Sequence, residues 1–322
     1  MRVLGETHCA TLASMVDLAS IYHDQNRWKE AAALDTTVMK IRLATLGNEH
    51  PDTLSAMVNL GVTYSMLGYE DQAEHLKTRA IEVSLRIMGD EHPFTLHAIN
   101  SLAATYRNQG ELRKAEELGT RVVELRLKII GEGHPDTLFS TADLAVTLSM
   151  QGYHDRAEVL EAHVMDASSR ILGETHPMTF DAMVNLAVTY GNQGRWQKAE
   201  DLLVQVATRS KSGVGAERTH PVMLKAMVNL AGVYGNQGLW EQAEELLAQV
   251  VEARSSLLGS KHPDTLAAME DLSIAYWSQG RSREANKLRR MVMETKRNEL
   301  RYVDFAVHTS AVNIQELVIG YT

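Results

Sequence analysis

Apolar residues recur along this chain with the spacing of α-helices. In one segment, Leu54, Met57, Leu60 and Tyr64 are separated by three or four positions. This spacing places the four side chains on one face of a helix. Gly68 follows and is expected to end that helix, because glycine disfavours a helix interior.

A second helix is predicted directly after this one. It is expected to end near Gly89, where a residue that tolerates positive φ is needed. Its inner face is predicted to carry small and aliphatic residues, namely Ala73, Leu76, Ala80, Val83 and Ile87. The segment therefore predicts a pair of helices joined by a short turn.

The same pattern returns at a fixed period marked by histidines. Their spacing is 42 residues, with one interval of 44, and they are His8, His50, His92, His134, His176, His220 and His262. All six prolines directly follow these histidines. Because proline suits the first turn of a helix, each His-Pro step predicts a helix start.

Two apolar columns repeat with the histidines. A leucine column comprises Leu18, Leu60, Leu102, Leu144, Leu186, Leu230 and Leu272, and an alanine column comprises Ala31, Ala73, Ala115, Ala157, Ala199, Ala243 and Ala285. A single helix pair cannot bury its own apolar face, so the pairs must stack. The sequence predicts an all-α solenoid of seven helix-turn-helix repeats.

Composition and charge argue against several classes of function. The formal net charge of −9 argues against general nucleic-acid binding, which needs basic residues to neutralise phosphates. The chain has no apolar run long enough to span a membrane and no secretory signal pattern. Cys9 is the only cysteine. We expect a cytoplasmic protein with no membrane partner.

Several positions resemble the tetratricopeptide repeat family. The pattern of a large residue, leucine, a small residue and tyrosine appears as Met183, Leu186, Ala187 and Tyr190, and Ala199 and Ala207 match the second helix. The joint L-G-x-x-H-P-D-T-L, at 46–54 and 258–266, is similar to the 42-residue repeats of kinesin light chains. It is also similar to C-terminal arrays of fungal and bacterial nucleotide-binding immune-type receptors.

The resemblance implies a right-handed tetratricopeptide superhelix over residues 1–300, with joints near 8, 50, 92, 134, 176, 220 and 262. Residues 301–322 are left as a C-terminal tail of unassigned role. The insertion at 212–215 predicts a looser joint. In the last second helix, Arg289 stands where Leu203 and Leu247 stand earlier, which indicates either a solvated cap or a surface for an acidic partner.

A polar column directly precedes the leucines and is the strongest candidate for a binding site. With the column seven residues further on, it gives the candidates Asn59, Asn108, Asp143, Asn185, Asn192, Asn229, Asn236 and Asp271. The resemblance implies that first helices line a concave groove and that the matching asparagines hold the backbone of an extended peptide. Alternatively, these side chains tie adjacent helices together or face water.

Catalytic and metal sites are not indicated. The repeated histidines lie one helix pair apart, and helix axes pack about 8–10 Å apart, whereas zinc ligands lie about 2 Å from the ion. These histidines are therefore expected to cap helices or to pack in the joints. His23 and the other histidines outside the joints are expected at the surface. No phosphate-binding loop or hydrolase motif is present. We expect no metal, no cofactor and no enzyme activity.

The charge of the predicted first helices suggests the chemistry of a partner. The seven predicted first helices together carry nine acidic and two basic residues. The acidic residues are Asp17, Asp24, Asp52, Asp136, Asp143, Asp181, Asp264, Glu270 and Asp271, and the basic residues are Arg107 and Lys225. A neutral or basic ligand is therefore expected.

Three functions are considered for this array. The first is a protein–protein interaction scaffold that binds an extended peptide or a partner helix in its concave groove. The alternative is a regulatory or sensor array of the immune-type receptor lineage, acting through self-association or a receptor partner. An enzyme is the third, and it would show turnover without a partner.

Overall fold

A computed structural model describes residue 5, residues 7–210 and residues 221–310, with side chains described as far as residue 297. The chain comprises two compact units, Met1–Ala216 (unit 1) and Glu217–Thr322 (unit 2). The first contains α1 (Cys9–Asp24), α2 (Trp28–Leu46), α3 (Pro51–Met66), α4 (Glu70–Met88), α5 (Pro93–Asn108), α6 (Leu112–Ile130), α7 (Pro135–Met150), α8 (His154–Leu172), α9 (Pro177–Asn192) and α10 (Trp196–Arg209). The second contains α11 (Pro221–Asn236), α12 (Trp240–Leu257), α13 (Pro263–Ser278) and α14 (Ser282–Ser310).

The described residues form these fourteen helices and no strand. The two helices of each repeat pack together, and within each unit the second helix of a repeat also packs against the first helix of the next. The predicted all-α fold of seven helix-turn-helix repeats is confirmed. The predicted loose joint at 212–215 lies outside the described residues, as do residues 311–322 of the predicted tail.

Histidines cap the first helices. In six repeats the Nδ1 atom of the joint histidine accepts a hydrogen bond from the backbone N–H two residues later, at 3.1–3.2 Å. This bond satisfies a donor that the first turn of a helix leaves without a partner. The capping role expected from the sequence is confirmed for every joint histidine except His220, which lies outside the described residues.

The packing between repeats, which we call the seam, buries the leucine column. On α13, Leu272 and Ala275 pack with Ala243 and Leu247 of α12. The prediction is wrong for Leu18, which is 40% exposed, because no second helix among the described residues precedes α1. It is also wrong for Ile87, which is exposed at the end of α4.

Ionisable side chains occupy one position of this seam. Asp35, Lys77 and Glu161 hold equivalent positions on α2, α4 and α8 and are at most 5% exposed. Each hydrogen-bonds a threonine on the following first helix: Asp35 accepts from Thr63 at 2.6 Å, Lys77 donates to Thr105 at 2.7 Å, and Glu161 bonds Thr189. The apolar seam thus contains a buried polar step in three of its repeats.

His23 belongs to the first of these polar steps. The sequence had indicated a surface histidine, but its Nε2 atom lies 2.9 Å from Thr63 Oγ1 and 3.2 Å from Asp35 Oδ2. The surface assignment of His23 was therefore wrong.

A buried arginine forms hydrogen bonds across one joint between repeats. Arg126 donates to the carbonyl oxygen of Asp136 at 2.7 Å and to Ser140 Oγ. Arg42 and Arg254 hold the equivalent position and donate to the carbonyls of Asp52 and Asp264. Where serine replaces this arginine, at Ser84 and Ser168, the aspartate of the joint is also replaced, by Phe94 and Met178.

We predict that Glu161 makes the stability of unit 1 depend on pH. The pKa of Glu161 is raised from 4.5 to about 7, chiefly by burial and also by the neighbouring Glu158, while the hydrogen bond to Thr189 opposes the rise. Because the folded state holds this proton more tightly than the unfolded state, stability falls as pH rises from about 4.5 to 7.

Glu161→Gln is therefore expected to match the wild type near pH 4.5 and to be more stable at pH 8, by about 1–3 kcal/mol. Urea denaturation at both pH values measures the difference. If the two proteins keep parallel pH profiles, Glu161 is not the source of the dependence.

We also predict that Arg126→Ala destabilises the array by about 2 kcal/mol, because it removes two hydrogen bonds made by a buried guanidinium, one of them to the buried hydroxyl of Ser140. The matched control is Arg42→Ala, which removes one bond at a less buried site and should cost about 1 kcal/mol. Chemical denaturation of both variants provides the test. Equal losses would show that the joint bond does not depend on burial.

Candidate functional site

The first helices of unit 1 form a surface of their own. Besides the seams, α3 contacts α5, α5 contacts α7, and α7 contacts α9. On each helix, the residues five, nine, twelve and sixteen positions after the capping histidine are exposed or half-buried. These positions are spaced i, i+4, i+7 and i+11, so they share one side of each helix. We call this surface the first-helix face.

The structure brings five of the predicted residues onto the first-helix face. Asn59, Asp143 and Asn185 are half-buried at the ninth position, whereas Asn108 and Asn192 are exposed at the sixteenth. Because α3, α5, α7 and α9 are neighbours in series, these polar side chains follow one another from helix to helix. Their role in binding stays a prediction.

The other three predicted residues lie in unit 2. Asn229 is half-buried and Asn236 exposed on α11, and Asp271 is half-buried on α13. The side-chain Nδ2 of Asn229 donates to the carbonyl of Lys225 in the same helix at 2.9 Å. Burial raises the pKa of Asp271, and Glu270 adds to the rise while Arg254 opposes it.

One predicted residue already ties two helices together. Asp143 accepts a hydrogen bond from Asn100 Nδ2 at 2.7 Å, and its other oxygen lies 3.4 Å from Arg107 Nη1. Both partners lie on α5. The carboxylate of Asp143 is thus neutralised by its own chain, and the negative charge of the face is smaller than a count of acidic residues suggests.

Sequence reasoning missed the apolar part of the face. Met66, Phe139 and Met150 are 49%, 52% and 56% exposed, and Val188 is 40% exposed. Large apolar groups at these exposures can dock against another molecule. A signal was present, since Met66 and Met150 stand at the sixteenth position of two repeats, where other repeats carry polar residues.

The described part of the chain contains neither a membrane-spanning helix nor a cluster of metal ligands. No helix in the described part of the chain is both long and apolar enough to cross a bilayer. Within the same residues, no three histidine, cysteine or acidic side chains cluster as metal ligands would.

Comparisons with solved structures find the same architecture. Nearly identical TPR-like repeats of a Podosopora anserina protein described as kinesin light chain are 28% identical to this chain. The match covers 65% of this chain and 98% of that one, with a TM-score of 0.54. BtubC from P. vanneervenii is 17% identical over 77% of this chain and 92% of its own, with a TM-score of 0.55.

A longer protein contains a similar array. A signal transduction ATPase with numerous domains and a tetratricopeptide repeat sensor, from Pyrococcus horikoshii, is 13% identical to this chain. The match covers 95% of this chain and 44% of that one, with a TM-score of 0.56. At this identity the likeness shows the fold alone. A comparison with curated proteins finds no significant match.

Family models match most of the sequence. Tetratricopeptide repeat models match residues 10–86, 70–128, 94–167 and 222–298, and a further tetratricopeptide repeat model matches residues 179–221. These matches follow the helix pairs and joints described above. The chain therefore belongs to the tetratricopeptide repeat family.

Proposed function

We propose that this chain is a non-catalytic protein-interaction scaffold whose first-helix face binds an extended peptide or a partner helix. The observation that carries the proposal is the combination of side chains on that face. Exposed Met66 and Val188 lie on helices that also carry amides at the ninth or sixteenth position, and exposed Phe139 and Met150 lie on α7, which contacts two such helices, α5 and α9. Apolar anchors beside a few polar groups are typical of binding surfaces.

The amides suit a ligand in extended form. An amide side chain offers both a donor and an acceptor, and an extended peptide has backbone groups that cost free energy when they are left without partners. Asn59, Asn108, Asn185 and Asn192 are the proposed contacts in unit 1, and Asn229, Asn236 and Asp271 are proposed for unit 2.

The spacing of the apolar residues suggests the ligand's pattern. Neighbouring helices pack about 8–10 Å apart, and an extended chain advances about 3.3 Å per residue. A peptide that crosses the first helices therefore passes about three residues per repeat. Met66 and Met150 are two repeats apart, so the ligand should carry two large apolar residues about six positions apart.

Charge favours a neutral or basic ligand. Asp17 and Asp24 are exposed on α1, and the net charge of the chain is −9, whereas Asp143 is already paired with Arg107. Electrostatic complementarity would speed the approach of a basic peptide more than it would tighten the complex.

A regulatory or sensor array is the alternative. The similar fold of the Pyrococcus horikoshii protein, in which a tetratricopeptide repeat sensor accompanies an ATPase, favours this possibility. In that case the same face would receive a receptor partner or a second array. A concentration-dependent mass in sedimentation analysis would distinguish self-association from the capture of a separate peptide.

Peptide selection from a random library, using the full chain as target, tests the proposed face. Selected peptides should be neutral or basic and carry the predicted pair of apolar residues. We expect Asn185→Arg and Met150→Asp each to weaken binding by roughly tenfold or more, because they place a bulky or charged group where the ligand packs.

The matched control is Val159→Asp, which changes a valine that is 67% exposed on the second helix α8. It should leave the affinity unchanged. Undiminished binding by folded Asn185→Arg and Met150→Asp variants would reject the first-helix face as the site.

A further inference from the structure

The residues that line a seam differ between repeats as a set. Four positions contribute: the fifteenth, twentieth and twenty-seventh residues after one capping histidine and the thirteenth residue after the next. We call these four residues a seam quartet. Two quartets of unit 1 are wholly polar, and they are Ser65, Glu70, Lys77 and Thr105 at the seam of α4 with α5, and Ser149, His154, Glu161 and Thr189 at the seam of α8 with α9.

The quartet at the seam of α12 with α13 is apolar. It consists of Gly235, Trp240, Leu247 and Ala275, and the last three belong to one core cluster. A side chain at position 235 would meet the ring of Trp240, because a Cβ atom there would lie 2.8 Å from the Cζ3 atom of that ring. The glycine therefore belongs with the tryptophan, and the four residues fit together as a set.

The quartet that contains Lys77 satisfies its buried charge. The Nζ atom of Lys77 donates to Thr105 at 2.7 Å and to the carbonyl of Ser101 at 3.1 Å. Ser65 Oγ donates to Glu70 Oε2 at 2.9 Å and lies 3.3 Å from Thr105 Oγ1. The buried cation thus has two acceptors, and the same chain of hydrogen bonds ends on a carboxylate.

The quartet that contains Glu161 leaves its buried carboxyl group incompletely bonded. Glu161 is 2% exposed and bonds Thr189, whose Oγ1 atom lies 3.3 Å from Ser149 Oγ. Ser149 in turn lies 3.5 Å from Nδ1 of His154, so two hydroxyl groups separate the histidine from the carboxyl group. The Oε2 atom of Glu161 is buried without a hydrogen-bond partner among the described residues. A neutral carboxyl group tolerates this site, whereas a carboxylate would be costly there.

Neighbouring charges do not neutralise Glu161. Glu158 lies one turn before it on α8 and raises the pKa of Glu161, while Arg195 donates to Glu158 at 2.6 Å. Asp143 on α7 and Asp181 on α9 stand at the ninth and fifth positions, on the first-helix face and not in the seam. An ionised Glu161 therefore needs water, which reaches it only if the seam opens.

We propose that this quartet is a pH-operated switch: the seam between α8 and α9 is closed while Glu161 is protonated and opens to water when Glu161 ionises. Because α9 carries Asn185, Val188 and Asn192, opening the seam releases part of the first-helix face. The effect on a ligand rests on the proposed function, whereas the opening of the seam does not.

The working range of the switch follows from the pKa of Glu161. Burial is the main cause that raises this pKa to about 7 in the closed seam, from 4.5 for a solvated glutamate. Between these values opening releases a proton, so the open fraction rises by up to about tenfold per pH unit and levels off above about pH 7. Burial lowers the pKa of Lys77 to about 8, so the other polar quartet keeps its charge over the same range.

Hydrogen exchange of the full chain at pH 5 and pH 7 tests the switch, with each rate divided by the intrinsic rate at that pH. The protection of α9 should fall by roughly tenfold or more between pH 5 and pH 7, and that of α3 and α13 should change less. In Glu161→Gln the protection of α9 should stay constant. The control is Asp166→Asn, which removes a carboxylate that is 78% exposed on the same helix and should behave as the wild type does.

Transfer of the apolar quartet provides a second variant. Ser149→Gly, His154→Trp, Glu161→Leu and Thr189→Ala together give the seam of α8 with α9 the residues found between α12 and α13. This variant should also keep a constant protection of α9. Peptides selected on the first-helix face should bind the wild type more tightly at pH 5 than at pH 7, and they should bind Glu161→Gln equally at both.

An equal loss of protection in all helices of unit 1 would overturn the proposal, because Glu161 would then affect overall stability alone. The same pH response in Glu161→Gln would overturn it as well, since another group would be the one that titrates. Absence of peptide binding would contradict the proposed function only, because the exchange is measured without a ligand.

Discussion

Within each unit, the stacking of the repeats depends on the packing of a first helix against the second helix of the repeat before it. Neither helix alone can bury its apolar side, and the joint histidine, fixed as the helix cap, sets where each first helix begins. Leucine, alanine and threonine fill the contact, and after α9 and α13 a glutamine and an arginine also bond a glutamate of the preceding second helix. The repeated columns of the sequence are the residues of this contact.

The same packing determines which surfaces remain for binding. Each first helix uses one side for its own second helix and another for the seam, so only one further side faces solvent. In unit 1 this side carries both amides and exposed apolar residues. On α1 the seam side is exposed as well, which gives that helix two surfaces of different chemistry.

The periodic part of the structure could be predicted from the sequence, because leucine, alanine and His-Pro steps that recur at a fixed spacing indicate stacked helix pairs. The errors arise where burial depends on a neighbour: Leu18 has the sequence of a core residue, but no helix of the described residues covers it. Asp35, Lys77 and Glu161 could not be recognised as buried from their own side chains, since such groups are rarely fully buried. The available signal was that other repeats carry a leucine at the equivalent position, at Leu203 and Leu247.

The candidate site was predicted in part for a similar reason. The asparagines were identified because polar residues beside a buried leucine are conspicuous, whereas Met66 and Phe139 were not among the candidates. Whether an apolar side chain of a helix faces the core or solvent depends on where neighbouring helices pack. The pairing of Asp143 with Arg107 depends on the same three-dimensional arrangement.

One substitution series tests the central role of the seam, because the leucine column offers the same residue buried under a second helix, at Leu60 and Leu102, and exposed in the described structure, at Leu18. We predict that Leu60→Ala and Leu102→Ala each lower the unfolding free energy by about 2–4 kcal/mol, and that Leu18→Ala lowers it by less than about 1 kcal/mol. Urea denaturation of the three variants measures these values. Equal losses at all three positions would show that the contact with the preceding second helix does not stabilise the repeats.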